Sequence, residues 1–106
     1  MDQAPNEALT AIRTLAAAGR FVAQVHCEDR MRCRGLRHDD LRHGLANATS
    51  IRRSDADHRS EWTVIGPDAR GEVFIVAIVF DAAPPGWIEA VTVHDADGNR
   101  REWFRR

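Results

Sequence analysis

Apolar residues recur at helical spacing in the first half of this chain and at strand spacing in the second. Leu9, Ile12, Leu15 and Ala16 share one face of a helix read over about 6–18. Asn6 suits its N-cap and Gly19 the position past its end. Met1 to Pro5 reads as a frayed lead-in. Phe21-Val22-Ala23-Gln24-Val25 has the β-branched and aromatic content of a short strand or edge segment. A second helix is read over 26–34. Cys27 and Met31, four apart, face the core, and Glu28 and Arg32 have the spacing of a surface ion pair. His26, Arg30 and Arg34 make a third, cationic stripe. Gly35 stops this helix. A third follows over about 38–47, burying Leu41, Leu45 and Ala48. Leu36 and Leu41 have the positions of a hydrophobic staple, and Asp39 and Asp40 sit in the first turn, where the helix dipole favours anions. Arg37 falls at the N-cap, a place better suited to Ser or Thr.

The pattern then changes period. Ser50 to Arg53 reads as a short strand and Ser54 to Ser60 as a polar loop. Trp62 to Ile65, Val73 to Phe80 and Trp87 to His94 are strand signals, separated by turns rich in glycine and proline. Val73 to Phe80 is apolar throughout, so both of its faces should be covered. The C-terminal tail or a partner chain could supply that cover on the side away from the helices. Trp87 to His94 alternates, with Ile88, Ala90, Thr92 and His94 on one face. Helices followed by a meander of strands predict an α+β fold, N-terminal helices packed on an antiparallel sheet as a two-layer sandwich. The 106 residues make one domain, with 1–5 and 99–106 as its loose ends.

Charge changes this picture little overall and more locally. The net charge is −1. Residues 26–59 carry eight Arg, six acids and four His, residues 60–99 one Arg and seven acids, and residues 100–106 four Arg and one Glu. No lysine is present, and Arg forks suit phosphate better than Lys does. The longest apolar run is far short of the roughly 20 residues of a membrane span, and no signal-peptide pattern opens the chain. Cys27 and Cys33 would lie on different faces of one helix, which disfavours a disulfide and points to a reducing cytoplasm.

The string His26-x3-Arg30-Met31-x2-Arg34-Gly35-Leu36-x3-Asp40-x4-Leu45 resembles the signature of a family of small bacterial proteins of unknown function. That family is grouped with the RelE/ParE-like toxins of toxin–antitoxin systems. Leu15-Ala16-Ala17-Ala18-Gly19-Arg20 and Ser60-Glu61-Trp62-Thr63-Val64 resemble its MqsR branch. The resemblance covers roughly residues 10–95. It implies a toxin of a type II pair, an endoribonuclease that cleaves RNA, ribosome-associated mRNA included, without metal or cofactor. It also implies a cognate antitoxin as partner. The chain departs from MqsR-type ribonucleases in having neither Lys nor Tyr. A non-catalytic protein-binding module on the same scaffold is the alternative, and a homodimer is compatible with either.

Ribonuclease chemistry without metal needs a base for the 2′-hydroxyl, cations for the phosphate and an acid for the leaving oxygen. His26 suits acid or base, and Arg30 and Arg34 suit a phosphate clamp. The structural alternative has His26 capping the strand–helix junction and Arg30 paired with Asp40 or a carbonyl. His94, with Asp95 and Asp97 beside it, is a second acid–base candidate or a surface residue before a turn. Arg52 and Arg53 extend a basic groove or end a solvated strand. Arg100 and Arg101 with Trp103 fit RNA stacking, a disordered tail or a dimer contact. Trp62 and Trp87 read as core or sheet-face residues. No CxxC or HxxxH pair supports a metal site.

Overall fold

The computed structural model describes residues 4–54, 61–81 and 86–95. Three helices, α1 (Pro5–Ala17), α2 (Val25–Cys33) and α3 (His38–Ala46), lie against a five-stranded sheet. The strands are β1 (Phe21–Ala23), β2 (Ser50–Arg53), β3 (Trp62–Pro67), β4 (Val73–Asp81) and β5 (Trp87–Asp95), in the spatial order β1-β5-β4-β3-β2. The fold is α+β, as the change of period predicts. Among the described residues no helix is long and apolar enough to cross a membrane.

Two local expectations change. Helix α1 starts at Pro5, with Ala4 rather than Asn6 at its N-cap. Proline has no N–H to lose at the first helical position, and its fixed φ suits it. The sheet is also mixed rather than antiparallel. β2 to β5 form the expected meander, but β1 pairs parallel with β5, Phe21 opposite Ile88 and Ala23 opposite Ala90. The parallel pairing follows from the crossover: the chain leaves β1 through two helices and three strands before returning beside it.

Helices α1 and α2 end where glycine allows it. Gly35 has φ 68°, the Leu36 N–H bonds to the Met31 carbonyl at 2.8 Å, and the Gly35 N–H bonds to Arg32 at 3.2 Å. This is a Schellman stop, and it turns the chain directly from α2 into α3. Gly19 ends α1 in the same way, at φ 76°.

The core lies between the helices and one sheet face. Ile12, Cys27, Met31, Leu41 and Leu45 meet Trp62, Val64, Phe74, Val76, Ile78, Ile88, Ala90 and Val93. On the other face Ile65, Ile75 and Ala77 are buried too, so the central strand is apolar on both sides for cause. The tail that could cover that face lies outside the described residues, as do Arg100, Arg101 and Trp103. Trp62 is core, whereas Trp87 stands 41% exposed on the sheet face, the Arg20 guanidinium 5.5 Å from its ring centroid.

Helix α3 touches the sheet backbone to backbone. A Cβ on Gly66 would overlap the Gly44 carbonyl oxygen and stand 2.9 Å from its carbon. A Cβ on Gly44 would meet the Phe74 ring at 2.6 Å. Two hydrogen bonds flank the contact: Asp40 Oδ1 accepts from the Ala69 N–H at 3.0 Å, and His43 Nδ1 lies 3.0 Å from the Pro67 carbonyl oxygen. Arg13 and Arg42 then join α1 to this layer, donating to the Ala48 and Ala17 carbonyls. Gly66→Ala should therefore cost about 3 kcal/mol or more, because its obstacle is backbone that cannot rotate away. Gly44→Ala should cost less: a ring can shift, and alanine recovers about 1 kcal/mol of helix propensity. Urea unfolding of the two variants checks the order.

Candidate functional site

Helix α2 turns about 100° per residue, which divides its surface into distinct flanks. Cys27 and Met31 face the core, 0% and 3% exposed. Burial, then the Glu28 charge, pushes the Cys27 thiol up to about 11, so it stays protonated and acts as packing. His26, Arg30 and Arg34 run along one side of this buried stripe, and Glu28 and Arg32 along the other.

On the first flank, His26 and Arg30 are exposed, one turn apart, and neither is bonded to another described residue. The expected alternatives are not seen. Gln24, not His26, is the N-cap; its N–H bonds to the Ala90 carbonyl and its amide to Glu89. Arg30 does not pair with Asp40, whose carboxylate serves the Arg37 and Ala69 N–H groups. Arg34, at the helix C-cap, is drawn inward. Its Nε donates to Asp95 Oδ1 at 3.2 Å, and its side chain is 24% exposed.

His94 does not join this flank. β5 carries an irregularity opposite Ala77 and Ile78: Ala77 pairs with Thr92, but Ile78 pairs with Ala90, leaving Val91 extra. Such a bulge inverts the alternation beyond it. Ile88, Ala90 and Val93 therefore share the core face, and Asp95, opposite core residue Phe74, turns toward Arg34. His94, opposite Ile75, points to the face away from the helices. Strict alternation would have placed it with Ile88 and Ala90.

Arg52 and Arg53 do not extend the α2 surface either. They belong to β2, the strand at the opposite edge of the sheet from β1. Adjacent strand residues point to opposite faces, so the two arginines part company. Arg53 covers Trp62, its guanidinium 4.4 Å from the ring centroid.

The second flank of α2 forms a cleft with the start of α3. Glu28, Met31, Arg32, Leu36, Arg37 and His38 line about 220 Å³. Here too the pairing differs from expectation. Glu28 lies 3.5 Å from His38 Nε2 rather than with Arg32, which reaches Asp29 at 3.4 Å. The tight Gly35 turn brings His38 over Glu28, and Phe21 stacks on the His38 ring at 6.5 Å. Sequence reasoning left Glu28, Arg37 and His38 out of any site. The one available signal was the arginine at a position that favours a small hydroxyl.

Asp40 fixes the geometry of this wall. It is 8% exposed, and its Oδ2 accepts from the Arg37 N–H at 2.8 Å. This is half of a capping box; a guanidinium has no acceptor to complete the other half. The Arg37 and Ala69 N–H bonds hold the Asp40 carboxyl below its ordinary value, against the opposing effect of burial. Among the described residues no group of three His, Cys, Asp or Glu side chains is placed to hold a metal ion.

No protein-family model, no curated protein and no solved structure matches this chain.

Because its folded carboxyl is the stronger acid, Asp40 stabilises the protein above the unfolded value of about 3.9. That contribution is lost as pH falls below this value and through the lower folded one. Asp40→Ala should cost about 3 kcal/mol near neutrality, from two hydrogen bonds to a charged acceptor. Urea midpoints measured at descending pH should show the gap between wild type and variant closing in acid.

Proposed function

We infer that the protein is the toxin-type member of a toxin–antitoxin pair and that it engages RNA through helix α2. The observation that carries this reading is the pair His26 and Arg30, exposed one turn apart with no described partner. An imidazole and a guanidinium so spaced can meet a ribose hydroxyl and its neighbouring phosphate together. The resemblance of His26-x3-Arg30-Met31-x2-Arg34-Gly35 to the RelE/ParE-like toxin signature supports the same reading.

In this mechanism His26 takes the proton of the 2′-hydroxyl as it attacks phosphorus. Arg30 stabilises the charge that gathers on the phosphoryl oxygens. The bond to the 5′-oxygen breaks, leaving a cyclic phosphate, and solvent supplies the proton of the leaving oxygen. Arg34 holds the helix end to Asp95 and contributes charge from there. A small antitoxin protein would mask the α2 surface.

A second reading is a non-catalytic module that binds a protein partner on the same scaffold. It is favoured by the bulge that turns His94 away, which leaves the α2 flank without a second histidine facing it among the described residues. RNA incubated with pure protein in EDTA separates the two. Cleavage that falls at least about a hundredfold in His26→Ala and in Arg30→Ala supports the toxin reading. Intact RNA, or cleavage indifferent to both substitutions, supports the binding module.

A further inference from the structure

The cleft on the second flank of α2 has chemistry of its own, and it does not depend on the RNA reading of the first. Its floor is apolar, made by Met31 and Leu36. Met31 is anchored in the core, and Leu36 is pinned by the Schellman bond back to Met31. Its rim carries two guanidiniums, Arg32 and Arg37, one carboxylate, Glu28, and the imidazole of His38. Glu28 lies 3.5 Å from the His38 Nε2 and Phe21 stacks on the ring from another side, so the imidazole borders the cleft between a carboxylate and an aromatic ring.

Arg37 is the telling residue. A cation at a helix N-cap opposes the macrodipole and supplies no acceptor to the first turn. The Asp40 carboxylate accepts from the Arg37 backbone N–H and so fixes the N-cap backbone without help from the Arg37 side chain. The Arg37 side chain takes no part in that bond and lies on the cleft rim. Local rules are broken most often at functional or strained positions, and Arg37 is one whose side chain is left facing the cleft.

We propose that this cleft binds a single nucleotide unit. The phosphate lies between Arg32 and Arg37. The flat base rests on Leu36, over the small exposed edge of Met31 and beside the His38 ring. Glu28 accepts from a sugar hydroxyl or an exocyclic amine. The cleft offers about 220 Å³ beside these groups, where a phosphate and the edge of a base can be met together. The arginine forks match phosphate oxygens in geometry, and the apolar floor gives the base a surface that inorganic phosphate cannot use. The unit can come from a free nucleotide or from one residue of an RNA strand, since both present the same groups.

The full-length chain titrated with adenosine 5′-monophosphate and followed by ¹⁵N NMR tests this. The largest shifts should fall at Arg32, Leu36, Arg37 and His38. Adenosine and inorganic phosphate should each bind at least about tenfold more weakly than the nucleotide. Arg37→Ser offers the N-cap the side chain it favours, so the variant should melt at the wild-type temperature or above while its nucleotide affinity drops about tenfold. Arg32→Gln, on an exposed helix face, should weaken binding similarly. A short oligoribonucleotide identifies the source: tighter binding than the mononucleotide at these same residues assigns the site to RNA, and weaker binding assigns it to free nucleotide. The proposal is overturned if millimolar nucleotide shifts none of these amides, if phosphate alone binds as well, or if Arg37→Ser leaves affinity unchanged.

Discussion

The contact of α3 with β3 is the constraint on which the rest of this structure depends. Gly44 and Gly66 let a helix lie directly on a strand backbone, with no side chain between them. That closeness lets Asp40 span from the α3 N-terminus to the Ala69 N–H beyond β3 and brings His43 to the Pro67 carbonyl. α1 is then tied to the same layer through Arg13 and Arg42. Once α3 is placed, the tight Gly35 turn leaves α2 little choice of position, and its Cys27–Met31 stripe closes the core over β5.

The same placement decides which side chains face outward together. α2 is held along its buried stripe, so its two flanks open in different directions. One presents His26 and Arg30 to solvent. The other meets the start of α3 and becomes a cleft. The β5 bulge adds a second decision, because it turns Asp95 toward Arg34 and His94 away. One extra residue in a strand thus separates two histidines that simple alternation leaves free to share a surface.

Much of the fold was legible in the sequence because it depends on local period. The spacing of Leu9, Ile12 and Ala16, and of Cys27 and Met31, marks helix faces, and the observed helix ends fall within a residue or two of those read. The strands from Trp62, Val73 and Trp87 stand out for the same reason. What the sequence hid is non-local. The parallel partner of β1 depends on the path of the whole chain. The bulge depends on the register between β4 and β5. The glycines at 44 and 66 carry no local signal that separates them from other glycines; only their contact explains them. Glu28 pairs with His38 rather than Arg32 because of the angle between two helices, which no i,i+4 rule contains. The stripe of His26, Arg30 and Arg34 was legible as a pattern. That Arg34 is committed to Asp95 was not.

If the glycine-to-glycine contact, clamped by Asp40, organises the molecule, it should also be its most firmly held part. Native-state amide hydrogen exchange tests it most directly. The α3 amides, the Ala69 N–H and the β3 and β4 ladder should exchange together, in the slowest class and only through global unfolding. Exchange of α3 or Ala69 far ahead of the β3–β4 ladder would contradict it, because the helix would then be resting on the sheet rather than organising it.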